Sequence, residues 1–225
     1  MGQKVSPYLL RLGYIKNWRS LWIADKREFV QNIAEDVKIR TYIKTKFVQA
    51  AVSDVIIERM ANQVKVKIRS ARPGVIIGRR GADIDRLRED LSQVTPREIS
   101  IDIEEIKRPA IDAQLIAQNI AFQLEKRVAF RRAMKRAIDQ ALASGAKGIK
   151  ISCSGRLGGA EMARRETYKI GKLPLHTFRA DIDYGFYEAQ TTYGTIGIKT
   201  WVYNGDIILE KKREDKPAAV QIQGD

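Results

Sequence analysis

The sequence predicts an α+β protein with two domains, each of which packs helices against a sheet. Residues 63–70 alternate between apolar and basic side chains, which is typical of a half-buried strand with a basic outer face. Residues 84–91 instead place isoleucine and leucine at helical spacing. Pro109 follows a second alternating segment and begins a new unit, so the domain boundary is expected near Arg108.

The first domain is expected over residues 25–107, after an N-terminal arm over residues 1–24 that mixes basic and aromatic side chains. Asp25 and Asp36 are plausible N-caps, which predicts two successive helices, one ending before Asp36 and the next reaching Ala51. The elements expected after them are two strands, two helices and a strand, over residues 53–58, 63–70, 75–77, 82–94 and 98–106.

The second domain is expected over residues 108–210. A long helix over residues 111–143 is predicted to end at Gly145, a residue that commonly stops helices. It should pack on a mostly antiparallel sheet. The tail over residues 211–225 is charged and lacks periodicity, so we expect it to be disordered. The expected strands of the sheet cover residues 149–154, 163–170, 180–191 and 195–203.

The net charge indicates the class of partner. Lys and Arg number 41 against 27 Asp and Glu, which gives a formal net charge of +14 and favours a polyanion, either nucleic acid or an acidic membrane surface. The sequence has no stretch apolar enough to span a membrane and no signal peptide, so we expect a soluble cytoplasmic protein without membrane partners. The single cysteine, Cys153, excludes an internal disulfide and a cysteine-rich zinc site.

A Gly-x-x-Gly pattern occurs four times, but only Gly78 and Gly81 lie between two predicted helices. Strand, helix, Gly-x-x-Gly loop, helix and strand is the arrangement of a KH domain, whose loop clamps a nucleic-acid backbone. Arg79 and Arg80 add positive charge inside the loop, and glycine lets a sugar-phosphate backbone approach closely. A helix and a strand precede this core, which resembles the prokaryotic, type II variant. The alternative interpretation is an ordinary helix–helix turn with solvated arginines.

Longer blocks of sequence extend across both domains and cover residues 1–5, 71–74, 130–135, 154–161, 174–177 and 179–184. These blocks resemble the S-three family of bacterial small-subunit ribosomal proteins. The resemblance implies a protein of the cytoplasmic ribosome that binds ribosomal RNA in the head of the subunit, contacts neighbouring head proteins and lines the channel through which messenger RNA enters.

The predicted long helix has a cationic side. Arg127, Arg131 and Lys135 are spaced by four, and Arg132 and Arg136 form the adjacent row. No acidic residue interrupts this stretch, which favours a track for phosphates over a solvated helix surface. In the resembled family, the positions that match Arg131, Arg132 and Lys135 lie where messenger RNA enters and contribute to unwinding it.

The second domain carries a further basic set, for which we expect contact with ribosomal RNA, although ion pairs with Glu161 or Glu166 are the alternative. Tyr184, Phe186, Tyr193 and Trp201 are expected to pack between sheet and helices rather than to stack on bases. The basic set consists of Arg156, Arg164, Arg165, Lys169, Lys172 and Arg179.

Two other functions stay open. The chain could be a free KH-type regulator or RNA chaperone, or a metal-dependent nuclease that uses Asp181 and Asp183, which share one face of a predicted strand. The sequence contains no ATP-binding loop. It also lacks a set of zinc ligands, because His176 is the only histidine and Cys153 is the only cysteine. We therefore expect no metal site, no cofactor and no catalytic residues.

Overall fold

A computed structural model describes residues 4–60, 62–95 and 97–207. Within them, two four-stranded sheets support separate hydrophobic cores, in agreement with the predicted α+β class. No helix in the described part of the chain is long and apolar enough to cross a bilayer. The expected tail over residues 211–225 lies outside the described residues.

The N-terminal half builds the first sheet. An arm with helix α1 (Pro7–Leu10) and strand β1 (Ser20–Leu21) precedes it. Strand β1 pairs parallel with β2, β2 pairs antiparallel with β3, and β3 pairs parallel with β4. The elements that follow the arm are α2 (Lys26–Lys46), β2 (Val52–Arg59), β3 (Gln63–Ser70), α3 (Pro73–Ile77), α4 (Ala82–Ser92) and β4 (Glu98–Glu105).

The predicted helix break at Asp36 is wrong, because α2 runs through this residue without interruption. Asp36 is buried and accepts hydrogen bonds from Trp22 Nε1 (2.9 Å), Ser20 Oγ (2.8 Å) and the Arg59 guanidinium (2.6 Å). Because these partners satisfy the oxygens of its carboxylate, Asp36 does not cap the N-terminus of a helix. Asp36 therefore fastens the arm and β2 to α2.

The C-terminal half builds the second sheet, whose strand order is β6-β5-β8-β7 with antiparallel neighbours throughout. Two helices cover one face, and the N-cap Asp112 of the first accepts a hydrogen bond from Leu115 N. The elements are α5 (Ala113–Glu125), α6 (Phe130–Ala143), β5 (Gly148–Gly155), β6 (Arg164–Gly171), β7 (Ala180–Thr191) and β8 (Gly194–Asp206).

The prediction of one continuous helix over residues 111–143 is wrong, because the chain turns between α5 and α6. Arg127 lies in this turn with φ of 61°, a left-handed conformation that no helix interior contains. Val128 N donates to Gln123 O, which closes the turn. Arg127 therefore does not stack with Arg131 and Lys135 on one helical face.

The N-terminal arm also contacts the second domain through Arg11. Its guanidinium is fully buried and donates to the backbone oxygens of Ala180 (2.5 Å), Thr177 (2.8 Å) and Pro7 (2.9 Å), with further bonds to Pro174 and Leu175. Burial lowers the pKa of Arg11, and the nearby carboxylate of Asp181 opposes this shift. The arm thus joins both halves of the molecule.

Gly185 marks the closest approach between α5 and the second sheet. A Cβ atom at this position would lie 2.2 Å from Ala113 O and 2.4 Å from the carbonyl carbon, both of which are backbone atoms. We therefore expect Gly185→Ala to lower the free energy of unfolding by about 1–3 kcal/mol, measured by thermal or urea unfolding.

Gly74→Ala is the matched control. Nothing lies within 4 Å of a Cβ atom at Gly74, which is in α3. Since alanine favours helix, stability should change by less than about 0.5 kcal/mol. Equal effects of the two substitutions would contradict the close packing of α5 on β7.

Candidate nucleic-acid interface

The loop between α3 and α4 presents two exposed arginines between two glycines. Gly78 and Gly81 have φ of 70° and 83°, and Arg80 between them has φ of 55°, so the backbone reverses within four residues. Arg79 and Arg80 are both exposed. The predicted loop thus has the expected place between two helices and the expected charge.

The start of α4 is less favourable to a phosphate than the sequence suggests. Asp83 and Asp85 lie in its first turn, and a Cβ atom built on Gly78 would overlap the Asp83 carboxylate. Arg86 and Arg88 lie 3.8 Å and 3.6 Å from these acids. Positive charge at this loop therefore comes chiefly from its two arginines.

The basic outer face of β3 is neutralised by neighbouring strands. Lys65 lies 3.6 Å from Asp102 and Arg69 lies 3.5 Å from Glu104, while Lys67 pairs with Glu58 and this hydrogen bond raises the pKa of Lys67. This face is therefore charge-balanced and is a weaker candidate for binding RNA.

Helix α6 has one buried side and one cationic side. Residues of the buried side pack in the second core, and they include Ala133, Met134, Ala137 and Ile138. Arginine and lysine fill the exposed side of its first two turns without an intervening acid, and Asp139 follows on the exposed side of the next turn, so the helix separates apolar from charged surface. The exposed cations of α6 are Arg131, Arg132, Lys135 and Arg136.

Strand β6 contributes Arg164 to the same cationic region. Two guanidinium groups lie near the ring of Phe130, whose centroid is 5.6 Å from Arg131 and 5.7 Å from Arg164. Glu166 lies 3.6 Å from Arg131, whose side chain is 62% exposed. Arg131 and Arg164 are therefore held in place, while each keeps donors free for a ligand.

The rest of the predicted second basic set does not form one patch. Arg156 donates to Ala160 O (2.9 Å) and Tyr193 O (3.3 Å), so it organises its own turn. Arg179 lies 3.3 Å from Asp206. Arg165 and Lys169 alternate with Arg164 along β6 and lie on the opposite face of the sheet.

The expectation that four aromatic residues pack between the second sheet and the helices is wrong. Tyr184, Phe186 and Trp201 alternate with residues that face α5, so they lie on the face of the sheet away from the helices. Tyr193 lies in the exposed turn before β8, against Arg156. Lys150 and Lys199, which are not among the predicted contacts, share this outer face. Their alternation within the predicted strands could have identified them.

The carboxylates of the nuclease hypothesis have structural partners. Asp183 accepts from Ala113 N and Tyr184 N, and burial raises the pKa of its carboxyl. Asp181 lies 2.8 Å from Lys16 and accepts from Asn204. Within the described residues, no three His, Cys, Asp or Glu side chains converge on a metal position.

Cys153 is also unsuited to chemistry. Its side chain is buried in the second core, and burial raises the pKa of the thiol to about 12. The thiolate that would act as a nucleophile is therefore scarce near neutral pH.

Comparison with known proteins identifies one family in each half of the chain. A family profile described as "KH domain" matches residues 38–111, and one described as "Ribosomal protein S3, C-terminal domain" matches residues 120–202. The ranges overlap the two predicted domains, whose own boundaries stay predictions.

Similar proteins extend over nearly the whole chain. Small ribosomal subunit protein uS3 of Desulforamulus reducens is 58% identical over 221 residues, which cover 98% of this chain and 99% of the relative. The uS3 protein of Carboxydothermus hydrogenoformans is 57% identical, with 95% and 96% covered, and that of Marinobacter nauticus is 51% identical, with 97% of each covered. The expected family is confirmed: the chain belongs to the uS3 family of small ribosomal subunit proteins.

Proposed function

We propose that the protein is a structural constituent of the small ribosomal subunit in the bacterial cytoplasm. It binds ribosomal RNA in the subunit head, beside other head proteins, and holds messenger RNA where it enters. The names of its relatives support the first part of this assignment. The observation that carries the second part is the cationic side of α6, where four exposed cations project from a helix whose other side is buried.

The cationic side of α6 has to attract RNA phosphates and needs no catalytic group. Each phosphate that a cation neutralises releases condensed counterions, which favours binding irrespective of base sequence. Movement of the ribosome along the messenger supplies the work of opening a duplex. Arg132, Lys135 and Arg136 then hold the separated strands by their backbones, and Arg131 does so from its fixed position beside Phe130.

The Gly-x-x-Gly loop provides a second contact in this account. Arg79 and Arg80 bind phosphates of ribosomal RNA, and the absence of side chains at Gly78 and Gly81 allows the backbone to come close. Arg127, Arg156, Arg164, Arg165, Lys169 and Arg179 extend the contact with ribosomal RNA over the second domain. Arg156 and Arg179 do so while they also bind within the protein.

Replacing Arg131, Arg132 and Lys135 together by Ala tests the function of α6. The side chains are exposed and alanine favours helix, so the protein should fold and assemble into subunits. Translation through a stable messenger duplex should slow severalfold, while translation of an unstructured messenger should change little, as measured by reporters that differ only in the duplex.

The matched control is Gln140→Ala, which truncates an exposed, uncharged side chain of the same helix. It should leave both reporters unchanged. Equal slowing of both reporters by the triple variant would contradict the account and indicate an assembly defect. No slowing of either reporter would show that the cations are merely solvated.

The loop is tested by Arg79→Ser combined with Arg80→Asn, because asparagine tolerates the left-handed backbone of Arg80. Substitution of the glycines is avoided, since both have positive φ and Gly78 adjoins Asp83. The affinity of the full chain for single-stranded RNA is measured against salt. The log–log slope should become shallower by about 0.7 for each phosphate that the loop no longer neutralises.

Arg86→Ser with Arg88→Ser removes the same formal charge from the adjoining helix, where acids already pair with both arginines. Its slope should stay close to that of the original protein. If the two double variants reduce the slope equally, net charge alone determines binding and the loop does not touch the RNA.

A further inference from the structure

The face of the second sheet that points away from α5 and α6 combines cations with aromatic rings. One cross-strand row runs from β6 through β5 and β8 to β7, and consists of Lys169, Lys150, Trp201 and Tyr184. The Lys150 ammonium lies 5.0 Å from the Trp201 ring centroid, and the Trp201 and Tyr184 centroids are 5.5 Å apart. The row therefore passes from charge at one edge of the sheet to aromatic surface at the other.

The adjacent row lies two residues further along the strands, about 6.8 Å away, and also places a cation next to an aromatic ring. It consists of Thr167, Ser152, Lys199 and Phe186. The Lys199 ammonium lies 5.9 Å from the Phe186 ring centroid, and the Phe186 side chain is 41% exposed. An aromatic ring this exposed on a sheet has a face available to a ligand.

Positive charge predominates on this surface. A third row adds Arg165 on β6 and places one acid, Glu188, at its far end on β7. Among the described residues, none of the four cations forms an ion pair. The four cations are Lys150, Arg165, Lys169 and Lys199.

Among the described residues, the chain itself covers one end of the face. Leu173 and Leu175 pack there with Ile182 and Tyr203 in a small apolar cluster, which Trp201 also contacts while it stays partly exposed. Beyond this cluster the surface becomes cationic and aromatic, and within the described residues it stays open. Its composition is that of surfaces that bind a strand of unpaired nucleotides, in which bases stack on rings and cations track the backbone.

We propose that this open face binds single-stranded RNA, with bases stacked on Phe186 and Trp201 and with phosphates held by Lys150, Lys169 and Lys199. A duplex fits poorly, because its base faces are already stacked on one another. An acidic protein segment would neutralise the cations but would leave the rings without a matching partner. The site lies across the sheet from α6 and does not depend on the function proposed for that helix, although it extends the ribosomal RNA contact proposed for Lys169.

Photo-cross-linking of the full chain tests the site. The probe is a decauridine that carries 5-iodouridine, which couples to aromatic rings stacked on the base. Cross-links mapped by mass spectrometry should fall on Phe186 or Trp201, and a duplex of the same length should not produce them. The protein concentration needed for half-maximal cross-linking at Trp201 should rise about tenfold in Phe186→Ala, since one stacking position is removed.

Phe178→Ala is the matched control, because Phe178 is 55% exposed in the same domain but lies outside the three rows. It should leave the cross-link at Trp201 unchanged. If Phe186→Ala lowers the thermal midpoint, Lys150→Gln with Lys199→Gln replaces it and should have a similar effect. The α6 triple variant should keep the Trp201 cross-link, so failure at the messenger and failure at this site are distinguishable.

Three results would overturn the proposal. The first is that wild-type cross-links fall only outside β7 and β8. The second is that the duplex cross-links to Phe186 and Trp201 as well as the single strand does. The third is that the folded variants of this face need no more protein than the Phe178→Ala control.

Discussion

The buried guanidinium of Arg11 is a central constraint on how the N-terminal arm packs against the second domain. A charge removed from water is tolerated only when its donors are fully engaged, and five backbone oxygens surround this one. Four of those oxygens belong to the segment between Pro174 and Ala180. The same arm continues through β1 to Trp22, and Ser20 and Trp22 donate hydrogen bonds to Asp36. The arm therefore contacts both the domain that carries the loop between α3 and α4 and the domain that carries α6.

Charge pairing separates the basic surfaces of this protein into two kinds. Cations of β3 face acids on the neighbouring strands, so that surface attracts a polyanion weakly. Cations on α6 and on the outer face of the second sheet have few such partners among the described residues, so their field reaches beyond the protein. The formal net charge of +14 therefore attracts a polyanion at particular surfaces, and helix and strand periodicity determines which residues lie on them.

Sequence periodicity predicted the strands well and the helix ends poorly. The alternation that ends at Ser70 gave β3 its observed bounds, because one face of that strand is buried. Asp36 has the residue type of an N-cap, yet its partners Trp22 and Arg59 are distant in sequence and determine its role. Nothing local marks Arg127 as a turn residue, since neither glycine nor proline accompanies it there.

The sequence identified the candidate RNA-binding residues but did not predict which of them share one surface. Strand alternation places Arg164 and Arg165 on opposite faces of the sheet, although both belong to the predicted basic set of the second domain. Which face of β7 meets the helices is decided by the backbone contact between Gly185 and Ala113, and no composition rule reveals such a contact.

We infer that the chain is a permanent part of the small ribosomal subunit rather than a free RNA binder. Sedimentation of a cell extract through a high-salt sucrose gradient distinguishes the two, because high salt releases proteins held only by phosphate attraction. A permanent constituent migrates with small-subunit ribosomal RNA after the salt wash, and this is the expected result. Recovery of the chain in the slow fractions, with intact small subunits lacking it, would contradict the account and favour a free KH-type regulator.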